Sequence, residues 1–440
     1  MAASVFSSAL FGQLFPTGEI GRLWTDTSDV RAMLVVEGAL AKVQGAQGVI
    51  PEISAAFIHR ASLEVQIDPA GLAEATGQNG VSVPGLVASF RAAMEAPEHA
   101  QYVHWGATSQ DIIDTALMLR LRQTLGLQED RLRALLNLMA AQAEAHADLA
   151  MPARTYGQYA TPTSWGAVLA QWGQPLADLV SVLENLRSGS LWVSLSGAAG
   201  TASALGPDPD ATRAQLAEAL NLNDPGRSWH TDRGPVMRIM AWMADVVAAL
   251  GALGQGLLDL TASDVGEVRL SGAGQSSTMP QKQNPVGPSA LVALNIQAAG
   301  LRSALHAASV HRHQRDGAAW FAEWMVLPQM ALCAASALEI ANTVAEGLEP
   351  VADRMHAHLK GHDSIHAEAL SFALAKQMPR PDAQAETKAL VAEAAVQHIS
   401  LQEVARRKHP DLPAALFDPQ AQLGTAPSEA RAFAKRVAAL

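Results

Sequence analysis

The chain has 440 residues, of which 49% are apolar and 17% charged, with a net charge of −11 and a single cysteine, Cys333. This hydrophobicity excludes intrinsic disorder, and one thiol excludes a disulfide scaffold and agrees with a cytoplasmic setting. The acidic balance argues against nucleic acid as a partner, because phosphate binding needs a basic face.

In chain order, the opening segment MAASVFSSALFGQLFPTGEIG lacks the basic lead and continuous apolar run of a signal peptide. Thr27, Ser28 and Asp29 then give an amino-terminal helix signal. Val30, Met33, Leu34, Leu40 and Val43 follow at helical spacing up to Gly45. The stretch 94–110 reads as loop-rich. A helix over 109–126 carries Ile113, Leu117 and Leu121, and Thr108 with Asp111 fits the T-x-x-D capping pattern. Further helices are expected over 128–149, 164–187, 208–221, 234–262, 286–312 and 328–346. No stretch reads as a membrane span. The apolar run 241–260 comes nearest, and Asp245, Gln255 and Asp259 interrupt it. Strand and hairpin signals are scarce, and helices this long and apolar need other long helices to cover them, so an all-α bundle is expected. A second seam falls at Gly347-Leu348-Glu349-Pro350.

Three stretches carry candidate chemistry. SGAGQSSTMPQKQNPVGP at 271–288 is a Gly- and hydroxyl-rich loop containing Ser276, Ser277, Thr278, Lys282 and Asn284. Its amides and lysine suit an anion, and its glycines suit closure. HWGATSQD at 104–111 puts His104, Thr108 and Ser109 at a helix amino terminus, whose free amides and partial positive charge suit a carboxylate. RTYGQYATPTSWG at 154–166 gathers Arg154, Tyr156, Gln158 and Tyr159. Each stretch also has a plain reading, as a solvated connection, an N-cap and a packed loop respectively. His311-x-His313 and His358-x-x-x-His362 have ligand-like spacing, but no neighbouring carboxylate or cysteine in the sequence completes a metal set.

Together the three stretches resemble, in order and spacing, the signature regions of the fumarase/aspartase superfamily. GQSSTMPQKQNP at 274–285 is similar to its G-S-S-x-M-P-x-K-x-N signature, and LSGAAGTASALG at 195–206 resembles its glycine-rich stretch. Within the superfamily the chain is most similar to the 3-carboxy-cis,cis-muconate cycloisomerases. The points of likeness are Trp105 and Gln110, the segment HQRDGAAWFAEWMVLPQ at 313–329, and an aromatic, Tyr156, where adenylosuccinate lyases have a catalytic histidine. Tyrosine itself departs from the pattern and leaves the general acid open.

The resemblance implies a three-domain, all-α fold, with an amino-terminal domain over 1–105, a long-helix bundle over 106–350 and a carboxy-terminal domain over 351–440. It further implies a homotetramer with active sites shared between subunits, a small polycarboxylate substrate, and neither metal nor organic cofactor. Ser276, Ser277, Tyr156 and His104 fall at its catalytic positions. Thr108, Ser109, Gln158, Lys282, Asn284 and Arg315 fall at its substrate-binding positions. The implied activity is lactone formation by addition of a carboxylate within a muconate. A β-elimination releasing fumarate from a succinyl adduct, or a cycloisomerisation of a differently substituted muconate, stand as alternatives.

Overall fold

The computed structural model describes residues 4–272, 274, 275, 279 and 282–440. The chain is all-α, and its described strands form three two-stranded antiparallel sheets. It divides into two compact units: Met1–Arg131, Leu179–Leu250 and Ala293–Ile340 form the first, and Leu132–Asp178, Gly251–Val292 and Ala341–Leu440 the second.

In the first unit, Thr25 caps the Asp26–Ala46 helix by accepting from the Ser28 amide at 3.2 Å. Val30, Met33, Leu34, Leu40 and Val43 are all buried, as their spacing predicts. The neighbouring Glu52–Glu64 helix packs closely because small residues face each other, Gly38 against Ser62 and Gly45 against Ala55. Arg31 closes the pair by donating to the Ser62 and Leu63 carbonyls at 2.7 and 3.0 Å, which satisfies free acceptors at the second helix's end.

The expected helices 109–126 and 128–149 are one continuous helix, Ser109–Ala145. The expected helix 164–187 splits into Trp165–Ser181 and Leu183–Ser188. The expected helix 328–346 starts earlier, as Gly317–Glu346, because Pro328 lies inside it without ending it. The helix expected over 286–312 stops at Ala308, which leaves residues 309–316 as an irregular connection. Among the described residues two helices are long and apolar enough to cross a membrane, Gly234–Thr261 and Gly317–Glu346, whereas the sequence singled out only part of the first. Of their apolar windows 61% and 67% is buried within the protein, the behaviour of core helices.

In the second unit the stretch 150–164, read from sequence as loop and helix start, is a hairpin: Ala150–Thr155 pairs with Gln158–Ser164. Tyr156 and Gly157 make its two-residue turn at φ 53° and 74°. Turns of this kind need positive φ at both positions, and Tyr-Gly lacks the Asn or Asp that usually announces one. The 347–350 seam becomes the strand Leu348–Pro350, paired with Val268–Leu270. Helices Arg380–Gln397 and Leu401–Lys408 close a separate apolar cluster around Leu370, Leu374, Leu390, Val404 and Phe417.

Gly166 starts the Trp165–Ser181 helix against the end of the long one, where a Cβ would stand 2.3 Å from the Ala143 carbonyl oxygen. Backbone cannot yield as a flexible side chain can. Gly166→Ala is therefore expected to cost about 1–3 kcal/mol, read as a lower urea midpoint at unchanged slope.

Candidate active site

The amino terminus of the Ser109–Ala145 helix is built around the buried carboxylate of Asp111. It accepts from the amides of Thr108 at 3.0 Å, Ser196 at 2.8 Å and Gly197 at 2.9 Å, and lies 2.8 Å from His230 Nε2. The first of these bonds is the capping pair read from sequence. The others fasten the glycine-rich 195–206 stretch and His230 to the same turn. One helical turn on, Thr115 and Ser194 exchange two further bonds, at 2.8 and 2.9 Å. Gly106, at φ 73°, lets residues 104–108 pass close by: a Cβ there would stand 2.3 Å from the Ala204 carbonyl oxygen.

Thr108 and Ser109 sit half-buried at this helix start. Arg315, in the 309–316 connection, joins them. Its Nη2 donates to Thr108 Oγ1 at 3.2 Å and to the Ala198 carbonyl at 3.3 Å, and its Nε to Gln110 Oε1 at 2.9 Å. Asp316 steadies the connection by accepting from the Ala318 amide at 3.1 Å at the next helix's start and from Arg312 Nε at 2.6 Å. The hydrogen bond from Arg312 holds the Asp316 carboxyl well below the usual carboxylate range. Among the described residues Arg315 has no carboxylate partner. A cation and a hydroxyl therefore meet at a helix start, an arrangement that suits a carboxylate ligand.

His104 is mostly buried and at φ 65°. Its Nδ1 lies 2.7 Å from Oε1 of Glu37, a carboxylate only 1% exposed. Burial pushes the imidazole pKa down, but the Glu37 hydrogen bond and charge outweigh it and hold the ring above its ordinary value. With Nδ1 engaged, Nε2 is the nitrogen left to donate a hydrogen bond or a proton.

Sequence reasoning missed the ionic layer beneath. Arg233 grips Asp114 with both terminal nitrogens, at 2.7 and 3.0 Å, and Glu323 through Nε and Nη2, at 2.7 and 2.8 Å. All three side chains are at most 1% exposed. Burial opposes the Arg233 charge, yet the two carboxylates hold the guanidinium well above its usual pKa, and Glu323 stays below its own. His311 is buried 3.6 Å from Glu323. The signal for this layer was Asp114 and Glu323 inside apolar helical patterns, since charges there need partners.

The second unit holds the other sequence-derived residues. Tyr156 and Gln158 lie exposed at the tip of the hairpin, with Tyr156 104% exposed. No hydrogen bond or ion pair among the described residues links them to Lys282 or Asn284. Asn284 pairs with Gly274 at the base of the signature loop, and Lys282 is exposed beside it. Ser276, Ser277 and Thr278 lie outside the described residues. Arg154, read only as part of the motif, makes a bidentate pair with fully buried Glu267 at 2.8 Å, and His358 Nδ1 meets the same carboxylate at 2.6 Å. His362 stacks on Tyr159 with ring centroids 4.0 Å apart. Among the described residues no group of three or more His, Cys, Asp or Glu side chains is arranged to hold a metal.

Glu37→Gln removes the partner that raises the His104 pKa, so the His104 titration midpoint, followed by NMR, is expected to fall. A group with a raised folded pKa stabilises the fold fully below the unfolded value of about 6.5 and loses that contribution as pH rises through the folded value. The variant's stability should therefore depend less on pH across that window. An unchanged His104 midpoint would contradict the assignment.

The model of the family described as Lyase matches residues 16–300. The chain is 38% identical over 384 residues to the 3-carboxy-cis,cis-muconate cycloisomerase of Pseudomonas aeruginosa, covering 86% of this chain and 84% of that one. It is 35% identical to the enzyme of the same name from Bradyrhizobium diazoefficiens, covering 95% of each chain. The crystal structure of the 3-carboxy-cis,cis-muconate lactonizing enzyme from Pseudomonas putida superposes with a TM-score of 0.92 at 32% identity, covering 98% of this chain and 99% of that one. The chain belongs to this lyase family, the fumarase/aspartase superfamily whose signatures its sequence carries.

Proposed function

We propose that the protein is a cycloisomerase that interconverts 3-carboxy-cis,cis-muconate and a carboxymuconolactone. The observation that carries this reading is the meeting of Arg315 with Thr108 at the amino end of the Ser109–Ala145 helix, a ready seat for one carboxylate of a polyanion. Relatives of that name, alike over most of their length, support it.

In the forward direction one substrate carboxylate adds to the substrate's own double bond. A γ-lactone forms, and the adjacent carbon, α to another carboxylate, takes a proton. The nucleophile belongs to the substrate, so the ring-forming step needs orientation more than covalent help. The electron-rich aci-carboxylate formed at the α-carbon needs preorganised cations and donors. Thr108, Ser109 and Arg315 serve one carboxylate, and Lys282 and Asn284 another. Ser276, with Ser277 beside it, exchanges the proton at carbon, as the signature implies. His104 adds a donor through Nε2, and Gln158 lines the pocket.

The reading extends to a homotetramer with shared sites. Tyr156 supports it: an exposed tyrosine at positive φ on a hairpin tip covers nothing among the described residues, a placement suited to a neighbour's site. Domains over 1–105, 106–350 and 351–440 belong to the same reading. The first cut falls just before the 37-residue helix, and the second follows the Leu348–Pro350 strand. The chemistry calls for no metal or organic cofactor, and the reading places the enzyme in the cytoplasm.

Loss of the substrate's conjugated-diene absorbance should follow mixing with 3-carboxy-cis,cis-muconate. Ser276→Ala should lower kcat by about 10²–10⁴ if the serine moves the proton. No absorbance change at any pH would overturn the substrate assignment. Turnover near wild type in the variant would overturn the serine's role.

A further inference from the structure

We propose that Gln110 is a positioning residue that aims the Arg315 guanidinium at the substrate carboxylate without spending its charge. The inference rests on the reading of Arg315 as a substrate-binding cation.

Gln110 is fully buried. Its Nε2 stands 3.1 Å from Asp114 Oδ2 and 2.9 Å from the His230 carbonyl oxygen. Both neighbours accept only, so the end of the amide that faces them must be the NH₂ group. A flipped amide would set an oxygen against two oxygens in a dry site. Oε1 is therefore forced to face the other way, where it accepts from Arg315 Nε at 2.9 Å.

The constraint goes deeper, because Asp114 cannot turn. Arg233 holds both of its oxygens, and Glu323 holds the opposite edge of Arg233. Three buried charged groups thus fix one neutral amide, and that amide fixes one exposed arginine.

The neutrality of Gln110 matters. Arg315 is exposed, and its acceptors are an amide, a hydroxyl and a backbone carbonyl, all uncharged. Nη1 has no acceptor among the described residues. The arginine is held in direction while its full positive charge stays available to an incoming anion. A carboxylate at position 110 would hold the same guanidinium but neutralise it, and would repel Asp114 and the His230 carbonyl.

The test is a double-mutant cycle on the full chain, with steady-state kinetics on 3-carboxy-cis,cis-muconate and competitive inhibition by propane-1,2,3-tricarboxylate. Gln110→Leu should raise KM and the inhibitor constant tenfold or more, with a smaller change in kcat. In an Arg315→Ala background the same substitution should change either constant less than twofold, because there is no guanidinium left to aim. A general structural defect would instead add to the Arg315→Ala loss in full, and that result overturns the proposal. So does a Gln110→Leu enzyme within twofold of wild type in kcat/KM. If Arg315→Ala itself leaves KM and the inhibitor constant unchanged, the carboxylate-binding reading fails, and the proposal falls with it. Should Gln110→Leu not fold, the near-isosteric and uncharged Gln110→Met runs the same cycle with the same expected loss and the same disappearance in the Arg315→Ala background.

Discussion

The carboxylate of Asp111 is the interaction on which the helix-end site depends. A helix start leaves free amides, and here one buried side chain gathers its own turn, the Ser196–Gly197 backbone and the ring of His230. Loops cannot normally be buried, because their backbone polar groups go unpaired. Asp111 supplies acceptors for the Thr108, Ser196 and Gly197 amides and a partner for His230 Nε2, so three separated pieces of chain are tied to one helix end. Asp114, one turn on, does the same for side chains through Arg233 and Glu323. Breaking such a buried pair by removing one member leaves an uncompensated charge and costs about 3–5 kcal/mol. The value of the layer lies in fixing geometry, since buried ion pairs repay little more than their own desolvation.

The electrostatics follow a division of labour. The chain carries a net charge of −11, yet the reaction proposed for it has a tri-anionic substrate. Attraction must be local, because the overall field is unfavourable. The site meets this by keeping some cations unspent. Arg233 and Arg154 are committed to carboxylates, while Arg315 is held by neutral acceptors. The His104 pKa is raised by the Glu37 carboxylate on Nδ1, which leaves Nε2 to face outward contacts. Which charges are neutralised within the chain, and which are left over, separates scaffold from site more sharply than burial does.

Much of this was legible in the sequence, for identifiable reasons. Helical spacing in an apolar chain is a strong signal, so Val30 to Val43 and the helix start at Ser109 read correctly, although the helix runs on unbroken to Ala145 where two helices were expected. The Thr108–Asp111 cap is local and needs only four residues. The hairpin at 150–164 was not legible, because Tyr-Gly is an unusual turn and its strands lie among loop-like residues. The start of the Gly317–Glu346 helix was obscured by Pro328, which tertiary packing tolerates. Asp114, His230, Arg233 and Glu323 were unreadable as a group, since pairing across 90 to 119 positions leaves no spacing to detect.

The sequence by itself determined the all-α class, the family through its three signature stretches, and the residue types available for carboxylate chemistry. Those are properties of local pattern and composition, which survive without knowledge of distant contacts. Only the tertiary structure decided which of those residues meet. It set Arg315 on Thr108 and Gln110, gave His104 its Glu37, and turned Tyr156 outward. Each of these depends on bringing remote segments within hydrogen-bond distance, and a bond of about 3 Å is a fact of space that a linear order of residues does not contain.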